Sequence, residues 1–331
     1  MKLNILYGCD DNYAPYTGIS MTSLFENNKD VEEITVYVAA MGFSEENQQR
    51  FKTIAARYGR ALVFLNCKEA ASKMERMHCG TWNGSIATWL RFFVLDQIPE
   101  TVDRLVWVDS DTIVHAGLAQ IVSDCNSAAP ISAVCDSLSY YQRFRLGLKT
   151  NEPYFNAGVL VFHLKNWREN DYLSAMMAHL EKNVDRYTLN DQDLLNDFFQ
   201  GQIQKLPPKY NVQGWLLAYP IKDYLSEFPW EKEAYYPEQD LEQSKNEPVI
   251  THFFRFLGDY PWTRGKNYHP AKGLYEEWKS KSLWKDHSGV EGKKDFPFKA
   301  EKALYRLLPR RAFLKFFVWY TNRQLPKKPA A

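Results

Sequence analysis

The sequence predicts an α/β fold with one mostly parallel central sheet, flanking helices and a C-terminal helical appendage. Short apolar runs alternate along the 331 residues with segments whose apolar residues recur at helical spacing. This alternation is typical of βαβ units, in which helices connect parallel strands. Apolar residues make up 45% of the chain and charged residues 24%, as in an ordinary globular protein. A length of 331 residues favours one main α/β unit with additions.

The elements are predicted in the following order. Strands are expected at residues 3–7, 34–38, 62–65, 104–108, 131–134, 158–164 and 249–253, and helices at 16–27, 87–95, 170–183 and 191–199. A further helix is expected to begin at Ser44, because Glu46 and Asn47 follow in its first turn. Residues 207–246 are rich in Pro, Tyr and Trp with little periodicity, which predicts long ordered loops over a site.

The strongest chemical signal is the pair Asp109 and Asp111, which directly follows the predicted strand at residues 104–108. Ligands of open parallel sheets bind at the carboxyl ends of the strands. Two carboxylates one residue apart can reach the same divalent cation, and oxygen ligands suit Mg²⁺ or Mn²⁺. Such a cation could bridge the phosphates of a nucleotide and neutralise a departing group. A capped turn is the alternative interpretation of the motif.

Other polar groups occur at the ends of predicted elements. Asp10 and Asn12 follow the first strand, Asn156 precedes a strand, and Asp191 opens a helix; helix capping is the simple alternative for each. His252 ends the last strand, where it is either a core histidine or the third ligand beside Asp109 and Asp111. Because all these clusters fall at strand or helix ends, we expect them to share one site.

These motifs together resemble family 8 of the retaining glycosyltransferases. The resemblance covers residues 3 to 262 and rests on the order and spacing of six motifs. They are Cys-Asp-Asp-Asn-Tyr at 9–13, Thr-Trp-Leu-Arg at 88–91, Asp-Ser-Asp at 109–111, Phe-Asn-Ala-Gly-Val at 155–159, Asn-Asp-Gln-Asp at 190–193, and His252 with Pro-Trp at 261–262.

The resemblance implies a nucleotide-diphospho-sugar transferase fold and transfer of a hexose, galactose or glucose, from a UDP-sugar to a glycan or glycolipid acceptor. Bacterial lipopolysaccharide or another surface polysaccharide is the implied product. It also implies that Asp109, Asp111 and His252 bind Mn²⁺, with Mg²⁺ as an alternative. The remaining implied donor-site residues are Asp10 and Asn12 at the uridine, Arg91 near the diphosphate and sugar, Asn156 and Asp191 at the hydroxyls of the hexose, and Ala157, which is implied to contact the donor.

Gln192 is implied to face the anomeric carbon and, with Asp191, to form the catalytic pair. A neutral amide is a poor nucleophile, so front-face return with retention is the implied chemistry, eased by the amide carbonyl. The sequence departs from the family pattern at one place, since Tyr260 stands where a lysine usually precedes Pro-Trp. Arg255, Arg264 or Lys266 is expected to substitute at the diphosphate.

The charge is uneven along the chain, which predicts two domains. Residues 1–270 are expected to form the catalytic domain, and residues 271–331 a basic, aromatic, helical region. From residue 293 onward the net charge is +9, against −8 for the first 292 residues. Arg310, Arg311 and Lys315 interleave there with Phe, Trp and Tyr, which favours contact with an anionic inner-membrane surface; a terminal helix packed on the body is the alternative. No motif supports nucleic-acid binding.

The sequence predicts a cytoplasmic protein. The five cysteines show no disulfide or zinc spacing and are expected to be reduced. The first residues already belong to a predicted strand, so no signal peptide is expected, and no run of 18 apolar residues occurs. A cytoplasmic protein, peripheral on the inner face of the membrane, is therefore expected.

The sequence is also compatible with two other functions. Asp109 could be the nucleophile of a haloacid-dehalogenase-type phosphatase, although that loop usually follows the first strand of its domain and here three strands precede it. The chain could also be a non-catalytic, sugar-nucleotide-binding scaffold on a membrane. The filled metal and donor positions argue against the scaffold.

Overall fold

The computed structural model describes residues 2–324 apart from Asn83, Ser127, Pro229 and Lys294, with the backbone alone at 322–324. Its centre is a seven-stranded sheet in the order β3-β2-β1-β4-β7-β6-β8. The strands are β1 (Lys2–Asp10), β2 (Glu33–Met41), β3 (Ala61–Leu65), β4 (Arg104–Val108), β6 (Ile131–Cys135), β7 (Phe155–His163) and β8 (Ile203–Lys205). A smaller sheet, in the order β5-β10-β9, contains β5 (Thr112–Val114), β9 (Val212–Gln213) and β10 (Ile250–His252).

Helices surround these sheets. They are α1 (Ala14–Glu26), α2 (Glu45–Arg57), α3 (Lys68–Arg76), α4 (Leu90–Phe93), α5 (Ala119–Ser123), α6 (Gln142–Arg145), α7 (Leu164–Glu169), α8 (Tyr172–Asn183), α9 (Asn190–Phe198), α10 (Gly214–Ala218), α11 (Ile221–Glu227), α12 (Glu238–Asn246), α13 (Lys272–Lys281), α14 (Phe296–Leu307) and α15 (Arg310–Gln324). Short 3₁₀ turns precede α4 and α9. The predicted mixed, mostly parallel sheet flanked by helices is confirmed.

Strand direction explains why the site forms at one edge of the large sheet. β1, β2, β3 and β4 pair in parallel, so their carboxyl ends lie together. β7 runs antiparallel to both β4 and β6, so its amino end, at Phe155, lies at that same edge. β10 pairs antiparallel with β5, whose first residue follows Asp111 directly, and aligns His252 with Thr112. Residues distant in sequence thus meet beyond one row of strand ends.

One sequence expectation about local structure is wrong, and another is confirmed only in part. Residues 207–246 are not mainly loops, because they hold α10, α11, α12 and β9. These helices contain only 5, 7 and 9 residues, and they are stabilised by burial of Trp215, Tyr224 and Leu241 rather than by intrinsic propensity. The helix expected at 87–95 is a 3₁₀ turn followed by the four-residue α4.

The C-terminal region packs on the body of the protein. α13 lies against α1, and the ring of Trp284 fills the space above Gly18. α14 and α15 form a helical hairpin whose inner face buries Tyr305, Phe313 and Leu314 in the main hydrophobic core. The other face leaves Phe296 82% and Leu307 79% exposed, with Trp319 and Tyr320 about half exposed.

Several predicted features of this region fall outside what the structure describes. Lys294, Lys327 and Lys328 lie outside the described residues, as does the side chain of Arg323. Among the described residues, none of the helices combines the length and apolar character needed to cross a membrane. The division between residues 270 and 271 stays a prediction.

Candidate active site

A cavity of about 390 Å³ lies at the edge of the sheet where the strand ends converge. Its walls come from the ends of β1, β4 and β6, the start of β7, the first turn of α9 and the residues after β10. Most of the predicted site residues line it: Asp10, Arg91, Asp109, Asp111, Asn156, Ala157, Asp191, Gln192 and His252. The chemistry singled out from sequence is therefore concentrated in one cleft.

Two carboxylates and an imidazole form a compact cluster in this cleft. One potential ligand atom from each of Asp109, Asp111 and His252 lies within 4.8 Å of the other two. The Nε2 atom of His252 is 3.2 Å from Asp111 Oδ1 and 3.7 Å from Asp109 Oδ2. Carboxylate oxygens with one imidazole nitrogen are a donor set that accepts Mn²⁺ or Mg²⁺. The residues present therefore fit a divalent cation.

The orientation of His252 is fixed by a neighbouring amide. Its Nδ1 atom lies 3.1 Å from Asn211 Oδ1, so the ring donates from Nδ1 and turns Nε2 toward the carboxylates. Burial lowers the pKa of His252, but Asp111 and then Asp109 outweigh burial and raise it overall. The two carboxylates thus favour a positive charge in the space between them and the Nε2 atom of His252.

A glycine makes room for the imidazole. A Cβ atom on Gly158 would lie 2.2 Å from Cε1 and 2.5 Å from Nδ1 of His252. Gly158 also accepts the backbone N–H of Asp109 at 2.8 Å, so the same residue holds the turn that carries the carboxylates. The glycine of the 155–159 motif is thereby explained by close approach to His252.

Arg91 is a buried cation that connects the cluster with α9. Its Nη2 donates to Asp109 Oδ1 at 3.0 Å, and its Nε pairs with Asp191 Oδ2 at 2.9 Å. It also donates to the carbonyl of Ala157, and its guanidinium lies 4.5 Å from the ring centroid of Trp107. The short α4 carries Arg91 into this position, where one guanidinium fixes two site carboxylates.

Asp191 is buried, and its ionisation is correspondingly perturbed. Burial raises the pKa of this carboxyl to about 6, with Arg91 opposing the rise and Asp109 adding to it. Arg91 lies within hydrogen-bonding distance, so Asp191 is the negatively charged partner of a buried ion pair near neutral pH.

Amide side chains form a hydrogen-bonded network beside this pair. Gln192 Oε1 accepts from Asn156 Nδ2 at 2.8 Å and from the backbone N–H of Ala157 at 3.1 Å. Asn156 Oδ1 accepts from Asn211 Nδ2 at 2.7 Å. Since Asn211 also bonds to His252, the imidazole and Gln192 are connected through two intervening amides. A change at either end is therefore expected to be felt at the other.

Asp136 also lines the cavity, and it was not predicted from the sequence. Its Oδ1 accepts the backbone N–H groups of Leu138 and Ser139, and its Oδ2 accepts from Asn156 Nδ2 at 3.0 Å and Gln192 Nε2 at 3.2 Å. Asp136 follows β6 as Asp109 follows β4, so an acid at the end of a strand was the available signal. Asn211, in the stretch expected to be loop, gave no comparable signal.

The predicted uridine-contacting residues have different positions. Asp10 lines the cavity, and its Oδ1 accepts the backbone N–H of Tyr13 at 3.1 Å. Asn12 is exposed in the turn before α1 and is not among the described residues that line the cavity. Tyr13 does line it, and it was not singled out from sequence.

Of the three cations considered as substitutes for the family lysine, Arg255 lines the cavity, as does Tyr260. The guanidinium of Arg255 is 5.1 Å from the ring centroid of Tyr260. Arg264 instead pairs with Glu291 at 2.7 Å, and Lys266 lies over the ring of Tyr268. Geometry thus favours Arg255 among the three.

The sequence matches a known protein family over most of its length. The model of the family described as "Glycosyl transferase family 8" matches residues 4–264. Lipopolysaccharide 1,3-galactosyltransferase of Salmonella typhimurium is 27% identical over 277 residues, 79% of this chain and 80% of that protein. Lipopolysaccharide 1,2-glucosyltransferase of Escherichia coli K12 is 25% identical over 304 residues, 90% and 83% of the two chains.

Solved structures show the same fold. The galactosyltransferase LgtC, in complex with donor and acceptor sugar analogues, matches with a TM-score of 0.68 and 22% identity, over 86% of this chain and 96% of that one. The bifunctional glycosyltransferase WbbM matches with a TM-score of 0.68 and 20% identity, over 87% and 51%.

Proposed function

The chain belongs to glycosyltransferase family 8 and is a glycosyltransferase, and from that premise we propose that it transfers galactose or glucose from a UDP-sugar to a glycan acceptor with retention. The observation that carries the proposal is the cluster of Asp109, Asp111 and His252 in the same cleft as Asn156 and Gln192. The family match does not support the phosphatase or the non-catalytic scaffold.

Asp109, Asp111 and His252 would hold Mn²⁺, or Mg²⁺ in its place. When bound, the divalent cation supplies positive charge against the diphosphate of the departing UDP. The charges that line the cleft support the binding of a cation. Among the described residues, five carboxylates and two arginines line the cavity, and Arg91 is already shared by Asp109 and Asp191. An anionic diphosphate would otherwise meet a cleft that is largely negative.

The nucleotide would bind along the ends of β1 and β4. Asp10 and Asn12 are proposed to contact the uridine, with Asp10 accepting from a base N–H. Arg91 is proposed to act near the diphosphate by holding Asp109 in place. Arg255 is proposed to take the role of the family lysine, because it lines the cavity and carries the charge that the departing phosphate requires.

The hexose would lie against α9 and the start of β7. Asn156, Ala157 and Asp191 are proposed to bind it, and the ionised Asp191 would accept hydrogen bonds from its hydroxyls. Gln192 is proposed to lie beside the anomeric carbon. Hydrogen bonds from Asn156 and Ala157 hold its carbonyl oxygen in place, so the dipole needs no reorganisation as positive charge develops on the sugar. Attack on the departing face gives retention.

The acceptor is proposed to be a bacterial surface glycan, either lipopolysaccharide or a related polysaccharide. The reason is that one relative is a lipopolysaccharide galactosyltransferase and another is a lipopolysaccharide glucosyltransferase. The protein is proposed to act in the cytoplasm, with residues 1–270 as the catalytic domain and residues 271–331 as the region that contacts the inner face of the membrane. The exposed Phe296, Leu307 and Trp319, with Arg310 and Lys315 on the same hairpin, support that contact.

The donor proposal is tested by thermal shift and hydrolysis with UDP-galactose and UDP-glucose, with and without Mn²⁺. One of the two donors should stabilise the wild-type protein only when the metal is present. Asp109→Asn and Asp111→Asn should abolish that shift, whereas Asp30→Asn, at an exposed carboxylate before β2, should retain it. A full metal-dependent shift in both site variants would show that the cluster is not the metal site.

Membrane contact is tested by sedimentation with vesicles of phosphatidylcholine alone or with phosphatidylglycerol. The wild-type protein should sediment with the anionic vesicles and less with the neutral ones. The double variant Phe296→Ser/Trp319→Ser, which alters exposed positions, should bind less without loss of stability. Equal sedimentation of variant and wild type would contradict the membrane proposal.

A further inference from the structure

The segment of residues 255–260 forms one wall of the cleft and contains a tight turn. Phe256 and Asp259 exchange backbone hydrogen bonds at 2.8 and 2.9 Å. The two residues between them, Leu257 and Gly258, have positive φ values of 52° and 77°. Leucine rarely adopts that conformation, so surrounding contacts must hold the turn in place. Arg255 and Tyr260, at the two ends of the segment, line the cavity.

An ion pair from the C-terminal hairpin holds one side of this turn. Lys302 Nζ donates to Asp259 Oδ1 at 2.7 Å, and the Asp259 side chain is fully buried. Its other oxygen has no hydrogen-bond partner among the described residues. Lys302 is therefore the cation that balances a buried carboxylate directly before Tyr260. The ring of Phe298, on the same helix α14, packs so closely on Gly258 that a Cβ there would lie 2.6 Å away.

An aromatic residue of the same hairpin supports the other end of the segment. Phe317 of α15 stacks on Trp215 with ring centroids 4.1 Å apart. Trp215 in turn donates from Nε1 to the backbone carbonyl of Arg255 at 3.1 Å. Tyr305 also packs edge-on against Phe256, with centroids 5.4 Å apart. Both ends of the cleft segment thus rest on α14 and α15.

We propose that Lys302 and Phe317 are positioning residues for donor binding, because they hold Arg255 and Tyr260 at the cleft through Asp259 and Trp215. The hairpin that carries the exposed aromatic face would then be a structural part of the donor site and not a detachable anchor. The effect on kinetics rests on the proposed function, whereas the effect on the cleft segment does not.

The first test follows the segment itself by hydrogen–deuterium exchange in the full-length protein. Lys302→Met removes the charge, Lys302→Arg keeps it, and Lys299→Met alters an exposed lysine on the same helix. Amides of residues 254–260 should exchange faster in Lys302→Met than in Lys299→Met, and Lys302→Arg should restore most of the protection. Unchanged exchange in Lys302→Met would overturn the inference, whatever the protein's activity.

The second test uses donor kinetics with the same variants and with Phe317→Ala. Lys302→Met and Phe317→Ala should raise KM for the UDP-sugar by about tenfold, with a smaller effect on kcat. Mn²⁺ affinity without nucleotide should be unchanged, because neither residue touches Asp109, Asp111 or His252.

Lys302→Met leaves the buried carboxylate of Asp259 without its cation. The double variant Asp259→Asn/Lys302→Met removes that unpaired carboxylate as well. A raised KM that persists there supports a positioning role over simple destabilisation. If every variant has a lower melting temperature but the KM of the wild type, Lys302 and Phe317 have only a structural role, and the inference is overturned. Absence of donor turnover in the wild-type protein would instead refute the proposed function.

Discussion

Gly158→Ala is expected to disable the proposed metal site by the addition of one methyl group. The new Cβ would lie 2.2 Å from His252 Cε1 and 2.9 Å from Asn156 Oδ1. Carbon atoms in ordinary contact are about 3.5 Å apart or more, so the imidazole must move by about 1.3 Å. Metal sites tolerate deviations of about 0.2 Å in ligand distance. Because His252 is buried, the ring has little room to return to its place.

The expected result is a loss of Mn²⁺ affinity of at least about 100-fold, the upper end of what loss of a ligand's supporting partner costs. That factor corresponds to about 2.8 kcal/mol. Isothermal titration of the apo protein with MnCl₂ measures it directly, without nucleotide or turnover. Overpacking should also lower the free energy of unfolding by about 1–3 kcal/mol, which denaturant melts in EDTA would record.

Two controls separate the metal site from general strain. Gly273→Ala lies in α13 with no atom within 4 Å of the new Cβ, so it should leave Mn²⁺ affinity unchanged. In a His252→Ala background, Gly158→Ala should cost little further affinity, because the ring it displaces is gone. If Gly158→Ala binds Mn²⁺ as tightly as wild type, or loses the same affinity with and without His252, the reasoning fails.

Three further changes test other parts of the structure. Asn211→Leu removes the acceptor for His252 Nδ1 and should weaken Mn²⁺ binding about 10- to 100-fold; wild-type affinity in titration would contradict the proposed orientation of the ring. Burial lowers the pKa of His269 from 6.5 to about 4, so the unfolded chain binds its proton first as pH falls between these values. Wild-type stability should therefore drop by about 2 kcal/mol more than that of His269→Asn between pH 7 and 4.5 in denaturant melts, and equal drops would contradict this. Gly18→Ala places a Cβ 1.9 Å from the ring of Trp284 and should lower the unfolding free energy by about 1–3 kcal/mol or more; an unchanged melting temperature would show that the region after α13 does not pack on α1 in solution.

The strands that carry the site were predictable because each is an apolar run with an abrupt polar end. Residues 104–108 were predicted as a strand with the bounds that the structure gives β4, and Asp109 follows directly. The direction of β7 was not predictable, since a buried strand has the same composition in either orientation. Only its reversal explains why Asn156, at the start of a strand, lies beside residues at the ends of others.

The polar residues that support the site were harder to find than those that line it. Asp136 is a single acid after a strand, without the second carboxylate that drew attention to Asp109. Asn211 lies between a 3₁₀ turn and the two-residue β9, where the sequence has no usable periodicity. Its role depends on a hydrogen bond to His252, 41 positions away, and single-sequence patterns carry no information about such contacts.

The smaller sheet determines when, during synthesis, all the residues of the proposed metal site are present. Asp111 precedes β5 directly, but His252 arrives on β10, after most of the chain has been synthesised. A nascent chain that has not yet emerged through β10 carries two carboxylates and lacks the imidazole. All three side chains of the proposed site would therefore be present only after β10 has emerged. A cation at 100 times its dissociation constant would then stabilise the folded state against unfolding by about 2.7 kcal/mol. Ribosome-arrested chains that end before and after β10 would show at which chain length a cation begins to stabilise the fold.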